Sequence, residues 1–344
     1  MTVPNSTLLL NQEEVLRLLP MNECVEVMAS VLAALSRGEA AQPVRSAVRL
    51  PDGTGLLGVM PGVLPADGAT RPALLGLKAI TVIPGNHGTP YDSHQGAVLL
   101  FEAGRGRLLA ILDASAITAV RTAAVSAVAT RLLANPDAAD LAILGSGVQA
   151  AAHVDAMRAV RPIGRVRVWS RDAENARRFA ADTAARTGLA VDPAPTARDA
   201  VRDAAIVCTV TSAREPVLEG KWLAPGAHVN AVGACVPAAR ELDTEAVRRS
   251  TLFVDHRASA LVESGDILIP IQERAISQTH IAAEIGQVLT GAHRGRSSKD
   301  QVTLFKSLGL AVEDLAAAAH VHAKAVAAGA GAPIHLGGLR HPHA

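Results

Sequence analysis

The chain has 344 residues, of which 49% are hydrophobic and 19% charged, and its formal net charge is +1. This composition is typical of a globular protein of one or two domains and excludes a disordered chain. The near-neutral charge and an aromatic content of 2% provide neither a basic surface nor stacking side chains. We therefore expect no nucleic-acid partner.

The N-terminus and the cysteines favour a cytoplasmic protein. The segment MTVPNSTLLLNQEEV has no basic part and only a three-leucine apolar run, so it does not resemble a secretory signal. No stretch approaches the roughly 20 consecutive apolar residues of a membrane-spanning helix. Cys24, Cys208 and Cys235 are odd in number and lack metal-ligand spacing. We expect no membrane partner, no disulfide framework and no metal site.

The N-terminal part of the chain predicts two helices. Asn11 is a favourable N-cap residue, and Glu14 follows three positions later, as in a capping box at the start of a short helix. A second helix is predicted over 23–37, and Gly38 ends it.

Between 42 and 113 the chain changes to short apolar runs separated by Gly, Pro, Asp and Asn, which is typical of a mixed or antiparallel sheet. The predicted strands are 45–50, 55–60, 75–82, 97–101 and 108–112. An alanine-rich helix is predicted over 114–133. It ends before Pro136, because the residue that precedes a proline disfavours the helical conformation.

From Asp140 onward, short apolar strands alternate with helices, which predicts a parallel sheet buried on both faces. The strands are LAILG, VRVWS, AAIVCTV, HVNAVG and TLFVD, and the helices are 148–160, 173–187 and 196–203. The chain is predicted to be helical again from Thr303 to Ala328, and 329–344 is predicted to be a mobile tail. The long helices at either end of this α/β segment indicate a return to the first domain.

A glycine-rich turn follows the first strand of the α/β segment and fits the pattern G-x-G-x-x-G/A. Its residues are Gly145, Ser146, Gly147, Val148, Gln149 and Ala150. The first glycine permits a tight turn, the second lets the backbone approach a pyrophosphate, and the helix N-terminus attracts the negative charge. The context of strand, turn and helix favours a dinucleotide site over a merely tight turn.

The end of the second strand bears on the choice of dinucleotide. A site for NAD usually has an acidic residue here, which binds the ribose 2′-hydroxyl. This chain has Ser170 and Arg171, a hydroxyl and a guanidinium that suit a 2′-phosphate. We therefore predict a preference for NADP(H), with NAD(H) possible if Asp172 takes the acidic position. The alternative for Arg171 is a solvated charge at a helix start.

Seven segments, in order along essentially the whole chain, resemble the ornithine cyclodeaminase/mu-crystallin family. They are GVMP at 58–61, SAITAVRTAAVSA at 115–127, LGSGVQA at 144–150, HVNAVGA at 228–234, RELD at 240–243, ESGD at 263–266 and FKSLGLAVED at 305–314. The resemblance implies an α/β fold in which a Rossmann domain at 126–304 is inserted into an α+β domain. That second domain, formed by 1–125 and 305–344, would bind substrate and form a homodimer.

The resemblance also implies which residues bind the two ligands. Further cofactor-binding candidates are Thr122, Thr209, Val232 and Gly233. Arg45 matches the family's carboxylate-binding arginine, and Arg121 falls on a family position near substrate and nicotinamide. Lys78 interrupts an apolar strand and matches the family's site lysine; a partly desolvated ammonium could give a proton to the substrate nitrogen. The alternatives are surface charges for the arginines and an outward, solvated lysine.

Two departures from the cyclodeaminase pattern favour imine reduction. Cys235 stands where cyclodeaminases carry an aspartate, and Gly58 stands where they carry a second acid. We interpret Cys235 as a wall of the substrate pocket, because it has no histidine partner that would make it a nucleophile. Met60, His94 and Glu263 are further pocket candidates, although a lone histidine or a loop acid is more often structural or solvated.

These residues and the resemblance together predict a reductase of cyclic α-imino acids that uses NAD(P)H. The substrates implied are Δ1-pyrroline-2-carboxylate and Δ1-piperideine-2-carboxylate, and the products are proline and pipecolate. The alternatives on the same scaffold are an ornithine cyclodeaminase, an alanine dehydrogenase and an opine-type synthase. An alternative of another class is a non-catalytic, crystallin-like binder of small molecules.

Overall fold

A computed structural model describes residues 6–66, 68, 71–86 and 88–338. The chain divides into two compact units. Unit 1 comprises the described residues of Met1–Arg121 and Leu310–Ala344, and unit 2 comprises Thr122–Gly309. Their limits differ by four or five residues from the predicted domain limits. The first limit falls inside a continuous helix, where no change in the sequence marks it.

Unit 1 contains a seven-stranded sheet. Its strands are β1 (Thr7–Leu10), β2 (Ser46–Arg49), β3 (Leu56–Leu64), β4 (Leu74–Val82), β5 (His94–Glu102), β6 (Leu108–Asp113) and β15 (Ala332–Ile334). The order is β15-β1-β6-β5-β4-β3-β2, in which β1 and β6 are parallel and the other neighbours are antiparallel. The predicted antiparallel or mixed sheet is therefore confirmed.

The helices of unit 1 are α1 (Gln12–Leu18), α2 (Met21–Ser36), the first part of α3 (Ala114–Leu133) and α11 (Ala311–Ala328); Pro84–Asn86 form a 3₁₀ turn. The capping box of α1 is confirmed, because Asn11 Oδ1 accepts a hydrogen bond from the Glu14 backbone and the Glu14 carboxylate accepts one from the Asn11 backbone, both at 3.0 Å. Helix α11 approaches the sheet closely at Gly76, where an added Cβ would lie 2.5 Å from Leu315 Cδ2.

The predicted mobile tail is wrong over part of its length. Strand β15 pairs with β1 in antiparallel register, with Thr7 opposite Ile334. The segment is three residues long and holds a proline, so its sequence carries little strand signal. The residues beyond Gly338 lie outside the described part of the chain.

Unit 2 is a doubly wound α/β structure around eight parallel strands. The strands are β7 (Asp140–Leu144), β8 (Arg165–Trp169), β9 (Ala190–Pro193), β10 (Ile206–Thr209), β11 (His228–Ala231), β12 (Thr251–Val254), β13 (Ile281–Glu284) and β14 (Thr303–Lys306). Their order is β13-β12-β14-β11-β10-β7-β8-β9. The run β9-β8-β7-β10-β11 reproduces the 3-2-1-4-5 order of a dinucleotide-binding sheet.

The helices of unit 2 are the second part of α3, α4 (Val148–Val160), α5 (Ala173–Thr187), α6 (Ala197–Val201), α7 (Thr244–Arg248), α8 (Arg257–Glu263), α9 (Gly265–Gln272) and α10 (Ile285–Leu289). Gly220–Trp222 and Gln278–His280 form 3₁₀ turns. The bounds of α3, α4 and α5 agree with the predicted helices.

The prediction of helix from Thr303 onward is wrong at its start. Residues 303–306 form β14, which is fully buried between β11 and β12. A four-residue apolar run shows no periodicity that distinguishes a buried strand from a helix. Unit 2 therefore extends as far as Gly309. The predicted domain limit between residues 304 and 305 falls within β14, a central strand of its sheet.

The expectation that no stretch approaches the length and apolarity of a membrane span is wrong for α3. This helix has 20 residues and a mean hydropathy of 1.3 over 18 of them, but 72% of those residues are buried. Such burial is typical of a core helix of a globular protein.

Candidate active site

The glycine-rich turn has the geometry of a pyrophosphate cradle. Gly145 has φ +125°, and an added Cβ would lie 2.7 Å from the Val210 carbonyl oxygen, so packing itself requires this glycine. Gly147 is the N-cap of α4, and a Cβ there would meet no atom within 4 Å. Since packing does not explain Gly147, the open space beside the helix N-terminus fits the approach of a phosphate group.

The end of β8 lies beside this turn. The Ser146 hydroxyl donates to the Ser170 hydroxyl at 3.0 Å, which joins the turn to the residue predicted to face the 2′-position. Arg171 is exposed. Asp172 is the N-cap of α5, and its Oδ1 accepts hydrogen bonds from the backbones of Glu174 and Asn175.

A cavity of about 320 Å³ adjoins the turn. Its lining includes Ser146, Gly147, Asn175 and Arg178. The structure thus brings together Gly145, Ser146, Gly147, Val148, Gln149 and Ser170, the cofactor candidates of the first half of the sheet.

The remaining cofactor candidates lie at other points of unit 2. Thr209 is the last residue of β10, and Val232 and Gly233 follow β11, the neighbouring strand. The Val232 backbone donates to the Thr209 carbonyl at 3.0 Å. Thr122 is buried within α3, at the first position of unit 2.

Lys78 lies in the interior of unit 1 rather than pointing to solvent. Its cross-strand neighbours are Met60 on β3 and Val98 on β5, and all three side chains are buried. The Lys78 ammonium Nζ lies 2.8 Å from Asp314 Oδ2 and 3.4 Å from Thr118 Oγ1. A buried lysine that is paired in this way is held in one orientation.

Arg121 is held by the first turn of α11. Its Nε donates to Asp314 Oδ1 at 2.8 Å, and its Nη1 donates to Glu313 Oε2 at 2.7 Å. All three side chains are buried. Asp314 therefore bridges Arg121 and Lys78, and we call Lys78, Arg121, Glu313 and Asp314 the cation cluster.

Electrostatics distinguish Lys78 from an ordinary surface lysine. Burial lowers the pKa of Lys78 from 10.5 to about 8; Asp314 opposes this shift, whereas the charges of Arg121 and Arg45 add to it. Arg45 is half-buried just before β2, close enough for its charge to act on Lys78. The structure thus brings together the three predicted catalytic residues in unit 1.

The other pocket candidates are spread more widely. His94 is exposed at the start of β5, four residues from Val98, or about 13 Å along the strand. Cys235 and Glu263 belong to unit 2. Cys235 Sγ donates to the Val232 carbonyl at 3.3 Å, and Glu263 is buried at the end of α8.

The two acids of the cation cluster were not predicted from the sequence. Glu313 and Asp314 occur in the matched segment FKSLGLAVED, but acids in the first turn of a helix ordinarily need no explanation beyond the helix dipole. The signal that could have identified them is their apolar surroundings. Two adjacent carboxylates within LAVEDLAAAA would be costly to bury without buried cations as partners.

The chain matches the model of the ornithine cyclodeaminase/mu-crystallin family over residues 5–329. It is 43% identical to the mouse (Mus musculus) protein named ketimine reductase mu-crystallin, over 86% of this chain and 90% of that protein. The chain belongs to this family. The resemblance predicted from the seven segments is confirmed.

Solved structures of similar proteins support the ornithine cyclodeaminase/mu-crystallin assignment. The Δ1-pyrroline-2-carboxylate reductase of Thermococcus litoralis, solved with NADH and L-proline, has a TM-score of 0.91 and 35% identity, and the match covers 95% of this chain and 100% of that one. An archaeal alanine dehydrogenase dimer with bound NAD has a TM-score of 0.90 and 30% identity over 96% and 100% of the two chains. The predicted α/β fold with a Rossmann sheet is confirmed.

Proposed function

We propose that this protein is an NAD(P)H-dependent reductase of cyclic α-imino acids, with Δ1-pyrroline-2-carboxylate and Δ1-piperideine-2-carboxylate as its substrates. The observation that carries the proposal is the cation cluster, in which a buried, oriented lysine of lowered pKa lies beside a buried arginine. The dinucleotide turn of unit 2 supports it, as do relatives named for imine reduction.

Each catalytic residue has a role that its surroundings support. Arg45 binds the substrate carboxylate, for which a planar guanidinium fork is well suited. Arg121 assists through Nη2 alone, because its Nε and Nη1 are held by Asp314 and Glu313. Lys78 supplies the proton to the imine nitrogen, since an amine with a pKa of about 8 is protonated at neutral pH and gives up its proton readily. Asp314 orients the Lys78 ammonium. The dinucleotide, when bound, supplies the hydride to the C=N carbon, so that the imine becomes a secondary amine.

Cyclodeamination of ornithine is less well supported. Gly58 is buried on the same sheet face as Met60 and Lys78, because positions two residues apart on a strand share a face. The described structure therefore has no carboxylate at position 58 to handle a substrate amine near Lys78. Cys235 likewise replaces the acid that a cyclodeaminase carries.

NADP(H) is the preferred cofactor in this proposal. Arg171 is exposed and Ser170 lies next to the turn, so both are placed to meet a 2′-phosphate. Asp172, the acid that would favour NAD, is engaged in capping α5. Two further guanidinium groups, those of Arg178 and Arg186, line the cavity beside the turn.

We also propose a homodimer formed through the sheet of unit 1. Large apolar side chains are exposed on the sheet face opposite to Lys78: Val48, Leu57, Val63 and Leu75. Contiguous exposed apolar residues of this kind are typical of an interaction surface. The partners of the chain are then its small-molecule substrate and a second copy of the same chain. We place this dimer in the cytoplasm. Size-exclusion chromatography with light scattering tests the dimer.

A substrate panel tests the proposed activity. Purified protein is mixed with NADPH or NADH and with each cyclic imino acid or with pyruvate plus ammonia. In a separate assay it is mixed with ornithine and NAD. We expect oxidation of NADPH with the cyclic imines to exceed every other activity. Ammonia release from ornithine at a higher rate would identify a cyclodeaminase, and turnover only of pyruvate plus ammonia would identify an alanine dehydrogenase. Binding of NADPH without any turnover would favour a non-catalytic binder.

A further inference from the structure

Glu241 has no role in the function proposed above, yet its carboxylate is fully buried and accepts four hydrogen bonds. Oε2 accepts from the Thr209 hydroxyl at 2.8 Å and from the Gly233 backbone at 2.7 Å. Oε1 accepts from the backbone and the hydroxyl of Thr211, both at 2.7 Å. One side chain thus fixes the segments that follow two neighbouring strands.

These segments lie where the second half of a dinucleotide binds. Strands β10 and β11 are parallel neighbours, so their carboxyl ends meet at one edge of the sheet. In a doubly wound sheet the glycine-rich turn and the end of the second strand hold the adenosine half, and the symmetry-related half of the sheet faces the nicotinamide half. The Glu241 contacts are in that second half.

The surroundings keep Glu241 itself from moving. Its backbone N–H and that of Leu242 donate to Asp266 Oδ1 at 2.8 and 3.1 Å, and Asp266 Oδ2 lies 3.0 Å from the Lys306 ammonium. The space beside Gly233 is filled where a side chain would lie, because an added Cβ would lie 2.0 Å from the Thr211 carbonyl oxygen and 2.6 Å from Glu241 Oε1. The whole arrangement is close-packed.

We propose that Glu241 is a positioning residue for the nicotinamide half of the bound dinucleotide. It acts by fixing the backbones of Thr211 and Gly233, and it leaves the adenosine half unaffected. The inference rests on the proposed dinucleotide-dependent function, and it adds a residue that acts on one half of the cofactor only.

A carboxylate suits this position because two backbone N–H groups approach it from two sides. In the variant E241Q, the amide NH₂ would face either the Thr211 or the Gly233 backbone N–H, and one donor would lose its acceptor. The hydroxyls of Thr209 and Thr211 can rotate to accept instead, so the loss is confined to a backbone group.

The matched control is D243N, two residues further along. Asp243 Oδ1 also accepts two backbone hydrogen bonds, from Gly220 and Ala246, both at 2.8 Å, and it caps α7. Asn is as good an N-cap as Asp. The control therefore changes a carboxylate of the same loop whose contacts are with α7 and Gly220 rather than with the strand ends.

The experiment measures dissociation constants for NADPH and for 2′-phospho-ADP-ribose, which lacks nicotinamide, together with the KM for NADPH. We expect E241Q to weaken NADPH binding about tenfold, the effect of one lost buried hydrogen bond. It should leave 2′-phospho-ADP-ribose binding unchanged, and D243N should change neither.

Equal weakening of both ligands by E241Q would mean that Glu241 only stabilises the domain, and unchanged NADPH binding would mean that it positions nothing. Either result overturns the inference. If E241Q does not fold, E241D keeps the buried charge but shortens its reach, and the same difference between the two ligands is expected. A wild-type protein that binds neither ligand would instead refute the proposed function.

Discussion

Each unit of the molecule contains a buried lysine–aspartate pair, and the two lysines differ in their pKa. Lys78 lies 2.8 Å from Asp314 in unit 1, and Lys306 lies 3.0 Å from Asp266 in unit 2. Burial lowers the pKa of both lysines. The pKa of Lys78 is lowered to about 8. For Lys306 the attraction of Asp266 and other acidic groups outweighs the effect of burial, so its pKa is raised above the usual value.

The neighbours of each pair explain the difference. Asp314 is shared between Lys78 and a second cation, Arg121, so Lys78 receives only part of its stabilisation. The pKa of Lys306 is raised by Asp266 and, to a smaller extent, by Cys235 and Glu241. The same two residue types therefore give a lysine suited to proton transfer in unit 1 and a lysine suited to structural support in unit 2.

The largest expected effect follows removal of Lys78, the proposed proton donor. Lys78→Met should lower kcat for cyclic-imine reduction by about 10²–10⁴-fold, the usual contribution of a general acid. The fold should persist, because Asp314 keeps Arg121 as its partner. Steady-state kinetics measure the effect, with Lys324→Met as the control. Lys324 pairs with Glu23 at the surface of the same unit, and its loss should leave kcat unchanged. A Lys78→Met enzyme with wild-type kcat would show that Lys78 is not the proton donor, and the two lysine–aspartate pairs would then not differ in function.

Removal of Lys306, the lysine of the pair in unit 2, should lower the stability of the protein. Lys306→Met leaves Asp266 buried without its cation, and loss of one partner of a buried pair costs about 3–5 kcal/mol. Urea unfolding measures the free energy of unfolding. The double variant Lys306→Met with Asp266→Asn should recover part of it, since Asn can still accept from the backbones of Glu241 and Leu242. A fully stable Lys306→Met protein would contradict the structural role.

A smaller effect is expected at the adenosine end of unit 2. Arg171→Ala should weaken NADPH binding about tenfold, the effect of one charge-assisted hydrogen bond, and should leave NADH binding unchanged. Fluorescence titration measures both affinities. Arg177→Ala is the matched control, because Arg177 is an exposed arginine of α5 that pairs with Glu174. Undiminished NADPH affinity in Arg171→Ala would show that the 2′-phosphate binds elsewhere.

The parts of the molecule that the sequence predicts well are those whose signal is local. The glycine-rich turn, α3, α4 and α5 are coded by contiguous residues, and their positions agree with the structure. Strands β14 and β15 are too short to show a period, so their sequences could not identify them.

The cation cluster depends on distant parts of the chain. Arg121 and Asp314 are 193 residues apart, and a sequence pattern does not reveal that helix α11 returns to β4. His94 illustrates the same point for a single residue. Its place relative to Lys78 follows from the register between β4 and β5, which the sequence does not state.

The pH dependence of kcat/KM for Δ1-pyrroline-2-carboxylate reduction by NADPH tests the central claim most directly. The ammonium form of Lys78 is the proton donor, and burial lowers its pKa to about 8. The rate should therefore be high below that pH and should fall as the pH rises through it. A profile that shows no fall near this pH, or the absence of turnover at any pH, would contradict the account.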